Sequence, residues 1–459
     1  MNDNLYLVID IGTSSLKAAV CTDAGELLSS VHRSLMGPSE SPRDFVTHRW
    51  MDTFREAVPK LVNRYEMRAV VISGNGPTVV AIDRDGNALG PPLLWLDDRF
   101  TKLAVSDSFY LPKIAWFERE RPEAEQVRWY LPFPEYLIHV LTGEAVAISP
   151  GEEFDRYIWS EHDARAVGID PSRLPPFVRV GEIVGHVSPA AAEITGIDQG
   201  MPVVAAGSDF LMSLIGTNTL RPGETCDRAG TSEGINHCSD RAVDAPRLRT
   251  LPHLYPGRYN VAGILSSTGR LFEWFREISG QRNHDYGDMM LDILRVPDYA
   301  DIPWFFPSLR NSGAWEFTKG MFIGLGSQHN RAEMGRAVVL SIGFAVREAL
   351  EMLENAGCPV TALNACGGQA RNGLWTQMKA DITGVPIRIP SVTDAELIGN
   401  LCCGLMATGA AGSLEEAADR VVHMVHTYEP DPGRNAFFQD QFEQYQSRFR
   451  RFQAALEEC

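Results

Sequence analysis

Cysteine is scarce in this chain, eight in 459 residues at positions 21, 226, 238, 358, 366, 402, 403 and 459, and no two stand as C-x-x-C. So few and so scattered, they predict reduced thiols in a cytoplasmic protein rather than a disulfide framework. The adjacent Cys402 and Cys403 fall within a helical pattern and read as core packing. Positive charge is also short: 42 Lys plus Arg stand against 59 Asp plus Glu, a net charge of −17. With no basic cluster to offset it, that balance argues against nucleic acid or an anionic membrane held by broad electrostatics. Apolar runs are brief. The longest, near Val338 to Val346, is broken by Ser341 and Gly343 and followed by Arg347 and Glu348, so no membrane span is expected. The opening MNDNLYLVID has neither a basic region nor an apolar stretch of the kind a secretory signal needs. Walker A and G-x-G-x-x-G patterns are both missing, which leaves a P-loop kinase and a Rossmann dehydrogenase poorly supported. The eleven histidines show no metal-ligand spacing.

What is present is an ordinary folded composition, 44% hydrophobic and 22% charged, in a chain long enough for two or three domains. Leu5 to Ile11, Leu16 to Cys21 and Leu27 to Val31 read as a meander of three antiparallel strands. A helix is expected from Trp50 to Tyr65, strands at Ala69–Ser73 and Val79–Ile82, and helical patterns from Lys113 to Leu141. Pro171 to Pro189 reads as a proline-rich connection. Strands resume at Val203–Ala206, Glu224–Arg228 and Ile235–Cys238. The second half alternates between helix and strand. A long helix from Arg331 to Ala356, capped by Gly357, precedes strand Ala362–Cys366. Helix Arg371–Thr383, strand Pro386–Ile389 and helix Asp394–Thr408 follow. The tail, Phe437 to Leu456, is an amphipathic helix that packs on the body.

Three short segments carry chemistry. Gly12-Thr13-Ser14-Ser15 is a small-residue turn between strands, whose backbone N–H groups and hydroxyls can cradle phosphate without a basic residue. Asp10, on the strand before it, would sit beside that phosphate only with a divalent cation or ordered water between them. On spacing alone, a plain hairpin turn is the simpler account. Gly207-Ser208-Asp209 puts a carboxylate where a strand gives way to a helix, a common place for catalytic groups in α/β sheets and also a good N-cap. Ala365-Cys366-Gly367-Gly368-Gln369-Ala370-Arg371-Asn372 places two glycines at a strand-to-helix turn, where the backbone can approach a flat ligand. Arg228-Ala229-Gly230-Thr231-Ser232-Glu233 echoes the first turn at a matching point of a second meander, which suggests a duplicated fold with two phosphate-facing turns.

Taken in order, these segments resemble the FGGY carbohydrate kinase family, part of the sugar kinase, actin and heat-shock ATPase superfamily. Asp10 to Lys17 resembles its first phosphate motif, Gly207-Ser208-Asp209 the segment with its catalytic aspartate, and Gly230-Thr231-Ser232 the second phosphate motif. Gly367 to Asn372, with Trp375 and Gln377, resembles the adenosine motif. Ile72 to Pro77 and Trp95-Leu96-Asp97-Asp98-Arg99 resemble the sugar-side segments, and Gly320 to Leu325 the C-terminal signature. The resemblance runs from about Leu5 to Gly409. It implies an α/β protein of two ribonuclease-H-like domains facing a central cleft that holds Mg-ATP. The expected division is a sugar-binding, catalytic domain over 1–240 and a nucleotide-binding domain over 241–459. Asp209 would be the general base, and Asp10 would hold Mg²⁺, through water. Gly12, Thr13, Ser14, Gly230, Thr231 and Ser232 would take the phosphates, and Gly367, Gly368, Gln369 and Asn372 the nucleoside. Asn75, Asp97 and Arg99 would join Asp209 on the sugar side, although Arg99 serves equally as a structural partner of Asp97 or Asp98. The expected partners are a small carbohydrate and ATP, with no nucleic acid or membrane and with a homodimer left open.

Two departures stand out. Xylulokinases carry Gly-Gln-Met-His where this chain has Gly74-Asn75-Gly76-Pro77, and the shorter amide without an imidazole points away from xylulose itself. Glu233 replaces a small residue after Gly-Thr-Ser. A carboxylate there repels a phosphoryl group unless it turns away, ligates Mg²⁺ or bonds the sugar, and turning away is the simplest case. Together they keep open a catalytically impaired sensor on the same fold. Gly230-Thr231-Ser232-Glu233-Gly234 also matches the G-x-S-x-G hydrolase elbow, but that motif needs a helix next, and Ile235 to Cys238 reads as a strand.

Overall fold

The computed structural model describes residues 4–35, 47–62, 65–95, 97, 99, 100, 105–308 and 315–457. Its first sheet grows from the opening meander: β1 (Leu5–Ile11), β2 (Ser15–Thr22) and β3 (Leu27–Ser34). β1 has six consecutive buried residues, as a strand covered on both faces requires, whereas β3 is polar and mostly exposed, as befits an edge. β4 (Met67–Gly74) and, further along, β5 (Ile183–His186) and β6 (Pro202–Ser208) complete the order β3-β2-β1-β4-β6-β5. β4 is parallel to both β1 and β6, and the remaining pairs are antiparallel.

The second sheet repeats that plan. It comprises β7 (Thr225–Ala229), β8 (Glu233–Ser239), β9 (Leu248–Pro252), β10 (Tyr259–Leu265), β11 (Leu363–Cys366), β12 (Ile387–Pro390) and β13 (Met424–Tyr428), in the order β9-β10-β8-β7-β11-β12-β13. β10-β8-β7 is an antiparallel meander, β11 and β12 add in parallel, and β13 closes the edge antiparallel. The inner five strands therefore match β3-β2-β1-β4-β6 of the first sheet, the duplication that the echoed Gly-Thr-Ser turns suggest. β8 follows the second turn directly, so the hydrolase elbow has no helix to stand on.

The chain divides into unit 1, Met1–Asn218 with Pro252–Pro256 and Ala395–Val422, and unit 2, Thr219–Leu251 with Gly257–Asp394 and His423–Cys459. This corrects the expected boundary at residue 240 in two ways. Residues 225–239 form the hairpin β7–β8 of the second sheet, so unit 2 begins earlier. The segment Ala395–Val422 returns to unit 1, because its helix packs on helix α1 (Asp209–Gly216). Two glycines set that contact: a Cβ on Gly216 would fall 1.9 Å from the Ala395 carbonyl oxygen, and one on Gly399 2.1 Å from that of Met212.

Proline breaks other expected elements. The helix expected over Trp50–Tyr65 runs from His48 to Ala57 and restarts at Pro59, and residues 63 and 64 lie outside the described set. The stretch Lys113–Leu141 divides into helix Leu111–Glu120, a 3₁₀ turn at Pro122, strand Trp129–Pro132 and helix Phe133–Thr142. Its Trp129-Tyr130-Leu131 run favours a strand and pairs with Val79–Ile82. Strands Phe177–Arg179 and β5 occupy the connection read as proline-rich. The core of unit 2 forms around helix α2 (Arg331–Asn355), whose Asn330–Glu333 capping box and Leu340, Phe344 and Leu353 fix its ends and buried face. No helix among the described residues is long and apolar enough to cross a membrane.

Candidate functional site

In unit 1 the chemistry gathers where β1, β4 and β6 end. Asp10 is 5% exposed and lies opposite Ser73 in the parallel β1/β4 register. The Ser73 hydroxyl donates to Asp10 Oδ1 at 2.8 Å. Asn400, on helix α4 (Ala395–Ala407), donates its amide to the Ser73 oxygen and to the Ile9 carbonyl, each at 2.9 Å. Helix α3 (Gly373–Thr383) precedes α4 in the chain and belongs to unit 2. Four residues before Asn400, Glu396 pairs with Lys17 at 3.4 Å, and Lys17 lies across the β1/β2 ladder from Asp10. Asp209 opens α1, and its Oδ1 accepts the Phe210 N–H at 2.7 Å, as an anion at a helix N-terminus does.

Burial, then the charges of Glu396 and Asp209, push Asp10 up to about 7, against the pull of Lys17 and the Ser73 hydroxyl. The excess of negative charge is what a cation would relieve. Among the described residues no three His, Cys, Asp or Glu side chains converge as a closed cage. A site of one or two carboxylates that leaves its other positions to phosphate and water suits Mg²⁺.

The first turn closes through its own backbone, with Gly12 N–H donating to the Ser15 carbonyl at 2.8 Å. Gly12 therefore shapes the turn rather than offering its N–H to a ligand. Trp95, 42% exposed, donates its indole N–H to the Thr13 hydroxyl at 3.1 Å and ties the sugar-side segment to the turn. Asp97 and Arg99 form an ion pair, and the Arg99 guanidinium lies 4.5 Å over the Trp116 ring. Asp98 lies outside the described residues.

Asn75 is buried just beyond β4. Its Oδ1 accepts the Thr78 hydroxyl, while its Nδ2 has no partner. With Tyr110, Glu135, Gly207 and Ser208 it lines a small pocket walled by Ile148 and Phe154. Glu135 accepts the Ile148 N–H through one oxygen at 2.7 Å and leaves the other without a partner, and burial pushes it up to about 7. The motifs gave no sign of Tyr110, Glu135, Glu396 or Asn400, and Ser73 fell within the Ile72–Pro77 segment without being assigned a role; only the i, i+4 spacing of Glu396 and Asn400 put two polar groups on one face of an apolar helix.

In unit 2 the second turn repeats the first, with Gly230 N–H donating to the Ser232 carbonyl at 2.9 Å and both Gly230 and Thr231 exposed. Glu233 turns away from it into the core and meets Lys379 of α3 at 2.6 Å. β7 and β11 are parallel neighbours with Arg228 opposite Cys366, so the second turn and Gly367–Asn372 leave the sheet at the same end. Gly367 serves packing rather than ligand approach: at φ +88°, a Cβ would fall 2.3 Å from the Ala229 carbonyl oxygen. Gly368 is exposed with open space beside it. Gln369 accepts the Trp375 indole N–H at 2.9 Å, and Asn372 caps α3 by accepting the Trp375 backbone N–H at 3.0 Å.

With this geometry in place, comparison with known proteins is direct. The model for the N-terminal domain of the FGGY family of carbohydrate kinases matches residues 5–106 and 99–216, and that for its C-terminal domain matches 228–408. A gluconokinase of Bacillus subtilis is 27% identical, with 90% of each chain covered. A xylulose kinase of the same organism is 25% identical, with 92% of each covered. A solved xylulose kinase from Rhodospirillum rubrum superposes with a TM-score of 0.79 at 22% identity, covering 99% of this chain and all of that one.

Proposed function

From the premise that this chain belongs to the FGGY family of carbohydrate kinases, ATP-dependent phosphotransferases with an alcohol acceptor, we propose that it phosphorylates a hydroxyl of a small ketose or polyol with Asp209 as general base. A pentulose is the favoured acceptor class. The observation that carries this reading is the grouping of Asp10 and Asp209 at the same end of β1 and β6, the strands on either side of β4 in unit 1, close enough for their charges to interact.

The acceptor hydroxyl gives its proton to the Asp209 carboxylate as its oxygen bonds to the γ-phosphorus of ATP, and the bond from that phosphorus to the β–γ bridging oxygen breaks to release ADP. The N-terminus of α1 and the Phe210 N–H hold that carboxylate in place. Asn75 offers a buried amide N–H to the sugar, and Trp95 fixes Thr13 at the edge of the turn. The N–H groups beyond Gly12 and Gly230, with the hydroxyls of Thr13, Ser14, Thr231 and Ser232, take the phosphate oxygens. Gly368, Gln369 and Asn372 border the nucleoside. Asp10 would hold Mg²⁺, which supplies charge neutralisation between the phosphates when bound. The inward turn of Glu233 removes a carboxylate from the phosphate side, and with it the main support for an impaired sensor. An ATP requirement and buried thiols without disulfides among the described residues fit a cytoplasmic enzyme.

The test is a coupled assay of ADP release over pentuloses, hexuloses, polyols and gluconate. Acceptor-dependent ADP release supports the reading, and tight acceptor binding without turnover on any of them defeats it.

A further inference from the structure

Beneath the second turn lies a charge cluster that the transfer reaction does not use. Lys379 Nζ sits 2.8 Å from Asp227 Oδ2 and 2.6 Å from Glu233 Oε1, with all three side chains at most 4% exposed. Asp227 is on β7 and Glu233 opens β8, with Glu233 opposite Ala229 and Asp227 opposite Ile235, so both carboxyls share one face of the hairpin. The loop between these strands is Gly230-Thr231-Ser232, and Lys379 clamps both strands below it.

The charges do not balance. Two carboxylates face one ammonium in a place sealed from water, and the second oxygen of each, Asp227 Oδ1 and Glu233 Oε2, has no partner. Two unsatisfied buried acceptors are costly. One proton held between the carboxyls would neutralise the cluster and provide a donor, and Asp227 is placed to hydrogen bond a protonated Glu233. Burial raises Glu233 to about 8, with Asp227 adding to the shift and Lys379 opposing it. From the other sides the cluster meets the Trp375 ring, 5.4 Å from Lys379 Nζ, and Tyr286, whose own neighbours are Glu273 and Arg276.

We propose that Asp227, Lys379 and Glu233 form a proton-holding brace that positions the second phosphate turn, and that its charge sets how tightly the turn takes nucleotide phosphate. This rests on the reading that Gly230–Ser232 accepts phosphate. With its proton the brace is neutral. Without it the brace carries a net negative charge next to Ser232, opposing a bound phosphate. Nucleotide affinity then falls as pH rises through about 8.

The experiment is calorimetric titration of the full chain with Mg-ADP at pH 7 and pH 9. The wild type should bind roughly 5-fold more weakly at pH 9, the scale of one uncompensated charge a short distance away. Glu233→Gln, neutral at every pH and still able to accept from Lys379, should bind with little pH dependence. In steady-state kinetics the change should appear in KM for ATP and not in KM for the acceptor, a split that loss of fold stability would not produce. Lys379→Met should weaken binding at both pH values by roughly 10-fold or more. If Lys379→Met does not fold, the Glu233→Gln comparison decides alone. A Glu233→Gln protein with the pH slope of the wild type overturns the brace. A wild type that binds Mg-ADP equally at both pH values also overturns it, while one that binds none defeats the phosphate-turn reading beneath it.

Discussion

In unit 1 the turn Gly12–Ser15 stands over Asp10, a buried carboxyl with two more acids, Glu396 and Asp209, acting on it and Lys17 acting against them. In unit 2 the turn Gly230–Ser232 stands over Glu233, which a buried lysine meets directly. The strand order is the same and both turns close through their own glycine N–H, yet the charge beneath them is handled in opposite ways. Unit 1 sets the charges of Glu396 and Asp209 against Asp10 beside its turn, a setting in which a bound cation would ease the cost of the buried acid. Unit 2 sets one lysine against its two acids, turned inward from the Gly230–Ser232 turn. A duplicated scaffold fixes where a turn goes, and the side chains under it decide what the turn needs.

Five substitutions would break or refine that contrast. The largest effect is expected in unit 1: Asp209→Asn should lower kcat by roughly 10²- to 10⁴-fold with Mg-ADP binding retained, and near-normal turnover would remove Asp209 from the role of base. Next, Asp10→Asn should raise the Mg²⁺ concentration for half-maximal rate by roughly 10- to 100-fold, and an unchanged magnesium titration would deny that unit 1 recruits the metal through this group.

A third test compares acids without a lysine partner and with one. The folded state holds the Glu135 proton up to about pH 7, against 4.5 for an ordinary glutamate, so its contribution to stability is complete at low pH and lost as pH rises through about 7. Urea midpoints of Glu135→Gln should therefore fall less between pH 5 and pH 8 than those of the wild type, by about 2 kcal/mol, and parallel curves would contradict the assignment. The smallest effects belong to the turns themselves. Thr13→Val and Thr231→Val each remove one hydroxyl and should weaken ATP by about 1 kcal/mol, a factor near 5 in KM. If only one of the two does so, the turns are not equivalent in use.

Much of the fold could be read from the chain because its signals were local. Apolar runs marked β1, β2, β4 and β6, and Gly357 marked the C-terminal end of α2, while its Asn330–Glu333 capping box was not picked out. The turns, Asp10 and Asp209 stood out because small residues and a carboxylate at a strand end are unusual together. What escaped was non-local. Nothing near Ala395 announces that its helix returns to unit 1, since that choice depends on Gly216 and Gly399 meeting across about 180 residues. Asn400 and Ser73 support Asp10 through a register that only the paired strands define. Glu233 was legible as an anomaly, but its partner Lys379 lies 146 positions away on another element.

A ribosome that has released only the first 394 residues has delivered Asp209 and every residue that lines the pocket beside Asn75, but neither Glu396 nor Asn400. Until α4 arrives, the Ile9 carbonyl and the Ser73 hydroxyl lack their donor, and Gly216 faces no neighbour. Unit 1 is thus begun first and finished late, with most of unit 2 synthesised in the interval. A chain cut short before α4 loses the Asn400 amide that ties Ser73 to the strand of Asp10, so turnover should appear only once α4 has been added.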